Sequence, residues 1–247
     1  MVRAQSGEVM VEWLGWSFFR LTSPTGKVLL HNPWVQGNPD AAVTLDDITR
    51  ADLILASQGH PDDQGNTVQI AQRTGARVFV PFELGTWMIG EGVPMAQVTR
   101  SGQGGRLVLD GITVRMVNAI HGNSTPSAPG YGGLSAGFII TFENGWTLYF
   151  DGNSAATQDM ALWAELYQPD AMIFNMNPGR EPMDIAMSVK LMTTNNPNLG
   201  TLLPHHHRVT PPAGATSLAE VRTALDGMGI NVPLTDPVRG QVYRFSK

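Results

Sequence analysis

Short runs of apolar residues, many of them alternating with polar ones, fill the first half of the chain, and glycine or proline separates the runs. This spacing is typical of strands with one buried face. Asn144-Gly145 joins two such runs and indicates a tight hairpin. The pattern predicts strands at 9–14, 18–22, 27–30, 52–56, 77–81, 106–109, 112–117, 137–143 and 147–150, with helices at 67–74 and 84–90.

In the second half, helical and strand-like segments alternate. Ser217 and Glu220 have the spacing of a capping box, and the apolar residues after Ser217 follow a helical period. Hairpins first and strand–helix units later indicate two packed sheets with helices outside, in one domain spanning residues 1–247. The predicted elements are helices at 159–166, 183–192 and from 218 onward, and strands at 171–175, 201–203 and 241–245.

Composition narrows the class of protein. A chain of 247 residues with 42% hydrophobic content can bury a large core without disulfides or structural metal. Its net charge of -5 argues against nucleic acid as a partner, and no apolar run approaches the roughly 20 residues that cross a membrane. The chain has no cysteine and no apolar signal core at its start. Ala4-Gln5 would fit the remnant of a removed signal peptide, so cytoplasm and periplasm both stay open, as does a homo-oligomer.

Side chains able to bind a metal follow four of the predicted strands. Such positions are rigidly supported and still reach a cleft. Because four separate segments share this arrangement, we expect their side chains to line one pocket. The candidate ligands are Gln58, His60, Asp62, Asp63, His121, Asn153 and His206.

Each segment also has a structural interpretation. His121 alone could be an ordinary hydrogen-bonded histidine. Asp62 and Asp63 could stabilise the first amides of a helix. The run of three histidines at 205–207 could be a polar loop.

The order of these segments resembles the metallo-β-lactamase superfamily, and within it the lactonase-like hydrolases related to L-ascorbate-6-phosphate lactonase. The resemblance implies a four-layer αββα sandwich of the α/β class with an active site at one edge of both sheets. It rests on "VEWLGWSFFRL", "KVLLHNPWVQGNP", "ADLILASQGHPDDQGN", "RTGARVFVPFEL", "DGITVRMVNAIHGNS", "AGFIITFENGWTLYFDGNSAATQDM", "YQPDAMIFNMNPG" and "GTLLPHHH".

The chain departs from the pattern of that family at its central motif, His-x-His-x-Asp-His. His60, Asp62, His121 and His206 match family ligands. The first and last histidines of the motif are replaced by Gln58 and Asp63, the bridging aspartate by Asn153, a supporting aspartate by Asn32, and the histidine of a Gly-His-Ser start by Trp16. Four of these five residues still carry an oxygen donor, so the site is altered rather than erased.

The resemblance divides the candidate ligands between two metal locations. Gln58, His60 and His121 form a neutral first location that should bind a divalent ion weakly. Asp62, Asp63 and His206 form the second, with Asn153 at its edge; two carboxylates and one imidazole suit iron or manganese, and zinc as well. An uncharged amide at 153 is a poor bridge between two cations. We therefore expect one divalent metal ion (Zn, Mn or Fe), at the second location.

Such an ion would make the protein a hydrolase of a small ester, lactone, amide or phosphoester. Asp62 or Asp63, whichever is not tied to the ion, is the candidate general base, and His121 and His60 are candidates for stabilising an oxyanion. Two alternatives stay open. One is a protein that keeps the fold and binds a small ligand without catalysis, and the other is a mononuclear iron or manganese enzyme of different chemistry.

Three further features have a functional and a structural interpretation. The Gly-, Pro- and Ser-rich residues 122–133 could be a mobile loop over the pocket or a long hairpin connection. Arg180 could meet a substrate anion or lie solvated on the surface. Trp16 could wall the pocket, whereas Trp13 and Trp34 are expected to pack in the core.

Overall fold

Fifteen short strands make up most of the regular structure in the computed structural model, which describes residues 7–126 and 130–247. The strands are β1 (Val9–Trp13), β2 (Phe19–Thr22), β3 (Val28–His31), β4 (Leu53–Leu55), β5 (Arg77–Pro81), β6 (Val98–Ser101), β7 (Arg106–Leu109), β8 (Ile112–Asn118), β9 (Ser124–Thr125), β10 (Gly130–Tyr131), β11 (Ala136–Thr141), β12 (Thr147–Phe150), β13 (Ala171–Asn175), β14 (Thr201–His205) and β15 (Val242–Phe245).

Six α-helices accompany these strands within the described residues. They are α1 (Pro61–Gln64), α2 (Thr67–Thr74), α3 (Phe82–Gly90), α4 (Asp159–Tyr167), α5 (Pro182–Met192) and α6 (Leu218–Gly227). Helix α2 ends at Gly75 in the left-handed conformation, as the sequence predicts. Over the described ranges, we find no helix with both the length and the apolar character that crossing a membrane demands.

Two mixed sheets form the centre of the fold. The first has the order β15-β1-β2-β3-β4-β5-β6 and the second β14-β13-β12-β11-β8-β7. Strands β3 to β6 run parallel to one another, as do β12 to β14, and the remaining pairs in both sheets are antiparallel. The carboxyl ends of the parallel strands define the edge of each sheet at which ligands usually bind in α/β proteins.

Three apolar clusters hold the layers together. Leu29 of β3 lies in the cluster between the two sheets, whereas its neighbour Leu30 lies in the cluster between the first sheet and helices α2 and α3. A third cluster packs Tyr149 of β12 against α4, α5 and α6. This order of helices, sheet, sheet and helices confirms the predicted αββα sandwich, since alternate residues of a strand face opposite layers.

Most predicted elements are present, with their ends shifted by a few residues. The hairpin at Asn144-Gly145 joins β11 and β12 in antiparallel register. Sequence analysis did not predict α1, β6, β9 or β10. Strands β9 and β10 pair with each other within residues 122–133. The described part of this segment is therefore a hairpin, which was one of the two interpretations of it. Residues 127–129 of the segment, and Ala4-Gln5, lie outside the described residues.

The capping box of α6 gives a direct test of the fold. The Ser217 hydroxyl accepts a hydrogen bond from the Glu220 amide, and the Glu220 carboxylate accepts one from the Ser217 amide. We expect Ser217→Ala to lower the free energy of unfolding by about 1 kcal/mol, because it removes one partner of an exposed helix end. Urea unfolding measures this loss. Ser246→Ala, at an exposed serine outside any helix, serves as the control, and an equal loss in both variants would contradict the prediction.

Candidate metal centre

Polar side chains from both sheets meet beyond the carboxyl ends of the parallel strands. Asn32 follows β3, Gln58 and the residues up to Asp63 follow β4, Asn153 follows β12, and His206 follows β14. Hydrogen bonds join side chains from all four places. The structure thus brings together most of the side chains that the sequence predicts for one pocket.

Several of these residues adopt a backbone conformation that side chains usually avoid. Seven non-glycine residues in the described ranges have a positive φ, and four of them, Trp16, Asn32, Asn153 and His206, belong to this cluster, at 59°, 47°, 68° and 54°. Such a conformation costs about 1–3 kcal/mol and persists where the surroundings impose it, often at functional sites. The concentration of this strain at one place supports a built site.

Asp62, Asp63 and His206 have the spacing of ligands around one ion. Nε2 of His206 lies 3.4 Å from Oδ1 of Asp63 and 3.6 Å from Oδ2 of Asp62, and the three ligand atoms all lie within 4.8 Å of one another. Two ligand atoms that are each about 2.1 Å from a zinc ion are roughly 3.0–3.5 Å apart, so little movement is needed. Asp63 and His206 are buried, while 34% of the Asp62 side chain is exposed.

Three amides surround the buried carboxylate of Asp63. The side-chain nitrogen of Asn32 donates to Oδ1 at 2.6 Å, and those of Gln58 and Asn153 donate to Oδ2 at 2.5 and 2.9 Å. These bonds fix which end of each amide faces Asp63. They leave Oε1 of Gln58 and Oδ1 of Asn153 buried without a hydrogen-bond partner in the described residues. Buried oxygens without a donor are costly, and a cation would satisfy them.

Asp62 and His206 are strongly coupled. Burial opposes ionisation of the Asp62 carboxyl, but His206 and the indole N–H of Trp16 outweigh it and lower the pKa of Asp62 to about 2. Burial also disfavours the imidazolium of His206, but Asp63 and Asp62 raise its pKa to about 9. With two carboxylates and one imidazolium, the cluster keeps an excess negative charge that attracts a cation.

Trp16 contacts the cluster more directly than a pocket wall would. Its Nε1 donates to Oδ2 of Asp62 at 2.8 Å, and its ring centre lies 5.2 Å from that of His206. The side chain therefore orients a candidate ligand. Trp13 is buried in the core, as expected, and stacks on His207 at 4.3 Å. Trp34 is only partly buried, so the expectation of core packing is wrong for it.

A chain of hydrogen bonds continues behind His206. Its Nδ1 lies 2.8 Å from Nδ1 of His205, and Nε2 of His205 lies 2.7 Å from Oδ1 of Asp151. All three side chains are buried. His205 belongs to β14, so the polar-loop interpretation of the histidine run is wrong for it. Asp151 and His205 were not predicted as site residues from the sequence; the signal that could have indicated them is their place at strand ends beside Asn153 and His206.

His60 and His121 form a separate pair rather than joining the acidic cluster. Their ring centres are 5.4 Å apart, in an edge-to-face arrangement, and both residues are half-buried. Nδ1 of His121 lies 2.8 Å from the carbonyl oxygen of Gly122. A carbonyl only accepts, so Nδ1 carries the proton, and Nε2 of the neutral ring is an acceptor. With Nδ1 engaged, Nε2 is the nitrogen of His121 that is left for another partner, and the predicted oxyanion role stays a prediction.

The structure also bears on the structural interpretations of the two aspartates and of Arg180. Asp62 and Asp63 lie in the first turn of α1, so they can act on that helix end and on the cluster together. Arg180 is neither solvated nor free for a substrate: only 9% of its side chain is exposed, and it donates to Asp184, Ser188 and the carbonyl of Asn175. Both interpretations of Arg180 are wrong, because its guanidinium is used inside the protein.

A cavity of about 520 Å³ adjoins the cluster at His206. Its size suits a small organic molecule. Its lining combines apolar side chains with two arginines and includes Trp13, Met176, Arg208, Pro212, Val238 and Arg239. A larger cavity of about 760 Å³ surrounds Arg20, and none of the predicted site residues lines it. The smaller cavity is therefore the candidate binding site, because His206 lines it.

Comparisons with known proteins show the family and the fold of the chain. The family model of the β-lactamase superfamily domain matches residues 22–222. A UPF0173 metal-dependent hydrolase of Anaeromyxobacter sp. (strain K) is 33% identical over 233 residues, covering 91% of this chain and 84% of the relative. One of Roseiflexus sp. (strain RS-1) is 29% identical over 242 residues, covering 95% and 96%. Among solved structures, the metallo hydrolase Igni18 of Ignicoccus hospitalis is similar, with a TM-score of 0.79, 23% identity and coverage of 97% and 99%.

Proposed function

Since the chain belongs to the β-lactamase superfamily, we propose that it is a hydrolase that holds one divalent metal ion with Asp62, Asp63 and His206. The observation that carries the proposal is the spacing of these three side chains, with Nε2 of His206 3.4 and 3.6 Å from the two carboxylates. The names of the relatives, metal-dependent hydrolases, support it.

One ion is favoured over two because of charge. The second group of candidates, Gln58, His60 and His121, has no formal charge when its histidines are neutral, and the Gln58 amide nitrogen is already bound to Asp63. Two carboxylates and one imidazole favour manganese or iron, with zinc also suitable. The resemblance to the family suggests how this arose: a carboxylate at 63 replaces a histidine, while an amide at 153 replaces the bridging aspartate. Relative to the family pattern, the site keeps the same number of carboxylates at these two positions, with the carboxylate at 63 instead of 153.

A metal in such a site lowers the pKa of bound water and polarises a carbonyl or phosphoryl oxygen. If Asp62 holds the ion through Oδ2, the oxygen that faces His206, its other carboxylate oxygen is the candidate for taking a proton from water, since 34% of the side chain is exposed. Asp63 is fully engaged by three amides, which assigns it to binding. Nε2 of His121, an acceptor in the neutral ring, is a second candidate for receiving a proton.

Within the superfamily, the proposed place of the chain is the lactonase-like branch, on the sequence resemblance. The proposed substrate is a small lactone, ester, amide or phosphoester that occupies the cavity of about 520 Å³ beside His206. One observation favours a second function, the binding of a small ligand without catalysis. Asp63 accepts hydrogen bonds from three side-chain amides of the protein, so the cluster is held together by its own residues.

Metal analysis of protein purified without added metal separates the two functions. We expect about one equivalent per chain, and Asp62→Asn should lose most of it, because the variant removes a charged ligand, while unfolding changes by about 1 kcal/mol or less. Elemental analysis and a panel of ester, lactone and phosphoester substrates are the measurements. Asp46→Asn, at a fully exposed carboxylate, is the control. Two equivalents would contradict the single site, and none would favour ligand binding.

A further inference from the structure

We propose that Asp151 and His205 are positioning residues that fix the protonation pattern of His206 and so turn its Nε2 lone pair toward the metal. This inference rests on the proposed function, since it assigns a role to residues behind the proposed ligand. Asp151 and His205 do not face the ion themselves. They act through His206, along the buried line of 2.7 and 2.8 Å contacts.

The direction of the hydrogen bonds follows from the surroundings of Asp151. Its carboxylate accepts from the backbone amides of Asn153 and Asn175 at 3.0 and 2.9 Å and from the Asn175 side chain at 3.3 Å, and Arg180 lies 3.7 Å away. Every one of these neighbours is a donor. Asp151 is therefore held as a charged acceptor, and His205 must donate to it from Nε2.

That donation decides the state of both rings. The proton on Nε2 leaves Nδ1 of neutral His205 as an acceptor, so the 2.8 Å contact requires His206 to donate from Nδ1. Nε2 of His206 is then the nitrogen left for a cation, and it lies 3.4 Å from Asp63, 3.6 Å from Asp62 and 3.2 Å from the side-chain nitrogen of Asn153. Hydrogen bonds that fix the ring of a metal-binding histidine typically change metal affinity by about 10- to 100-fold.

The carboxylate of Asp151 also positions Asn153. Oδ1 of Asp151 binds the backbone amide of Asn153, whose side chain donates to Asp63. Gly152, between them, has no room for a side chain, since an added Cβ would lie 1.9 Å from the carbonyl oxygen of Ala136. The turn after β12 is thus held in one conformation, with Asp151 directed to His205 and Asn153 directed to the cluster.

The test compares zinc affinities of four proteins by competition with a chromogenic chelator. In Asp151→Asn, every neighbour except His205 is a donor, so the new amide N–H points at His205 and turns Nδ1 of His205 from an acceptor into a donor. The variant thus removes the acceptor for the Nδ1 proton that His206 must keep when its Nε2 binds zinc. We expect zinc binding about 10- to 100-fold weaker. His205→Leu removes the acceptor and should weaken binding equally. His205→Gln keeps one donor for Asp151 and one acceptor for His206, and should stay within about 3-fold of wild type.

Nitrogen-15 NMR of the zinc-loaded proteins supplies a readout that simple packing would not change, namely whether His205 carries its proton on Nε2, as expected in the wild type. Wild-type zinc binding with unchanged affinity in Asp151→Asn and His205→Leu would overturn this inference and leave the proposed function standing. Equal weakening in His205→Gln and His205→Leu would also overturn it, because packing would then explain the loss. Absence of zinc binding by the wild type would overturn the proposed function, and this role with it.

Discussion

Asp63→Asn is expected to lower the free energy of unfolding by about 3–5 kcal/mol and to abolish metal binding. The buried carboxylate accepts hydrogen bonds from Asn32, Gln58 and Asn153 and lies 3.4 Å from His206. An amide of the same shape would turn its own N–H groups toward these donors and leave buried groups without partners. Urea unfolding of the metal-free protein measures the loss.

Asp62→Asn is the matched control for this experiment, since the two aspartates are neighbours on α1 and differ mainly in exposure. The side chain of Asp62 is 34% exposed and that of Asp63 only 1%. Both variants should lose the metal, whereas only Asp63→Asn should lose much stability. Equal destabilisation by the two variants would show that the three amides around Asp63 do not contribute to stability as described.

Asn153→Asp, which restores the aspartate of the family pattern, is expected to destabilise the metal-free protein by about 3 kcal/mol at pH 8. The new carboxylate would lie where an amide nitrogen is now 2.9 Å from Asp63, and two buried carboxylates at that distance cannot both ionise freely. One of them should have a raised pKa. Because that carboxyl takes up a proton as the pH falls, the loss should be smaller at pH 5 than at pH 8.

Unfolding at both pH values, with and without added zinc, tests this prediction. Zinc should restore more stability in Asn153→Asp than in the wild type, because the extra carboxylate offers the cation another negative ligand. Asn195→Asp is the control: Asn195 is also an asparagine with a positive φ, 52°, but it is exposed, whereas Asn153 is buried. A loss that is independent of pH, or equal in the control, would contradict the explanation.

The periodicity of apolar residues was enough to predict the layers of the fold. Strands β5 and β13 are short, mostly buried runs that contain β-branched and aromatic residues, which favours a strand over a helix. The hairpin at Asn144-Gly145 follows from the turn preference of these two residues. The short elements α1, β6, β9 and β10 were not predicted, because elements of two or four residues carry too little periodic signal to be distinguished from a loop.

The sequence by itself determined which strand ends carry candidate ligands. Asp62, Asp63 and His206 could be named because each lies in the segment that follows an apolar run, and a strand's end fixes where that segment begins. What those side chains do to one another was decided only by the tertiary structure. Hydrogen-bond direction depends on the full set of donors and acceptors around each group, and these come from distant segments.

Asp151 and His205 show this limit most clearly. They lie 54 positions apart in the sequence, at the ends of the parallel strands β12 and β14. These two ends are brought together only because β13 lies between β12 and β14 in the sheet. The contact of Trp16 with Asp62 likewise joins segments 46 positions apart. Local sequence patterns reach a few residues along the chain, whereas the charge and protonation of a buried group are set by everything within a few ångströms of it in space.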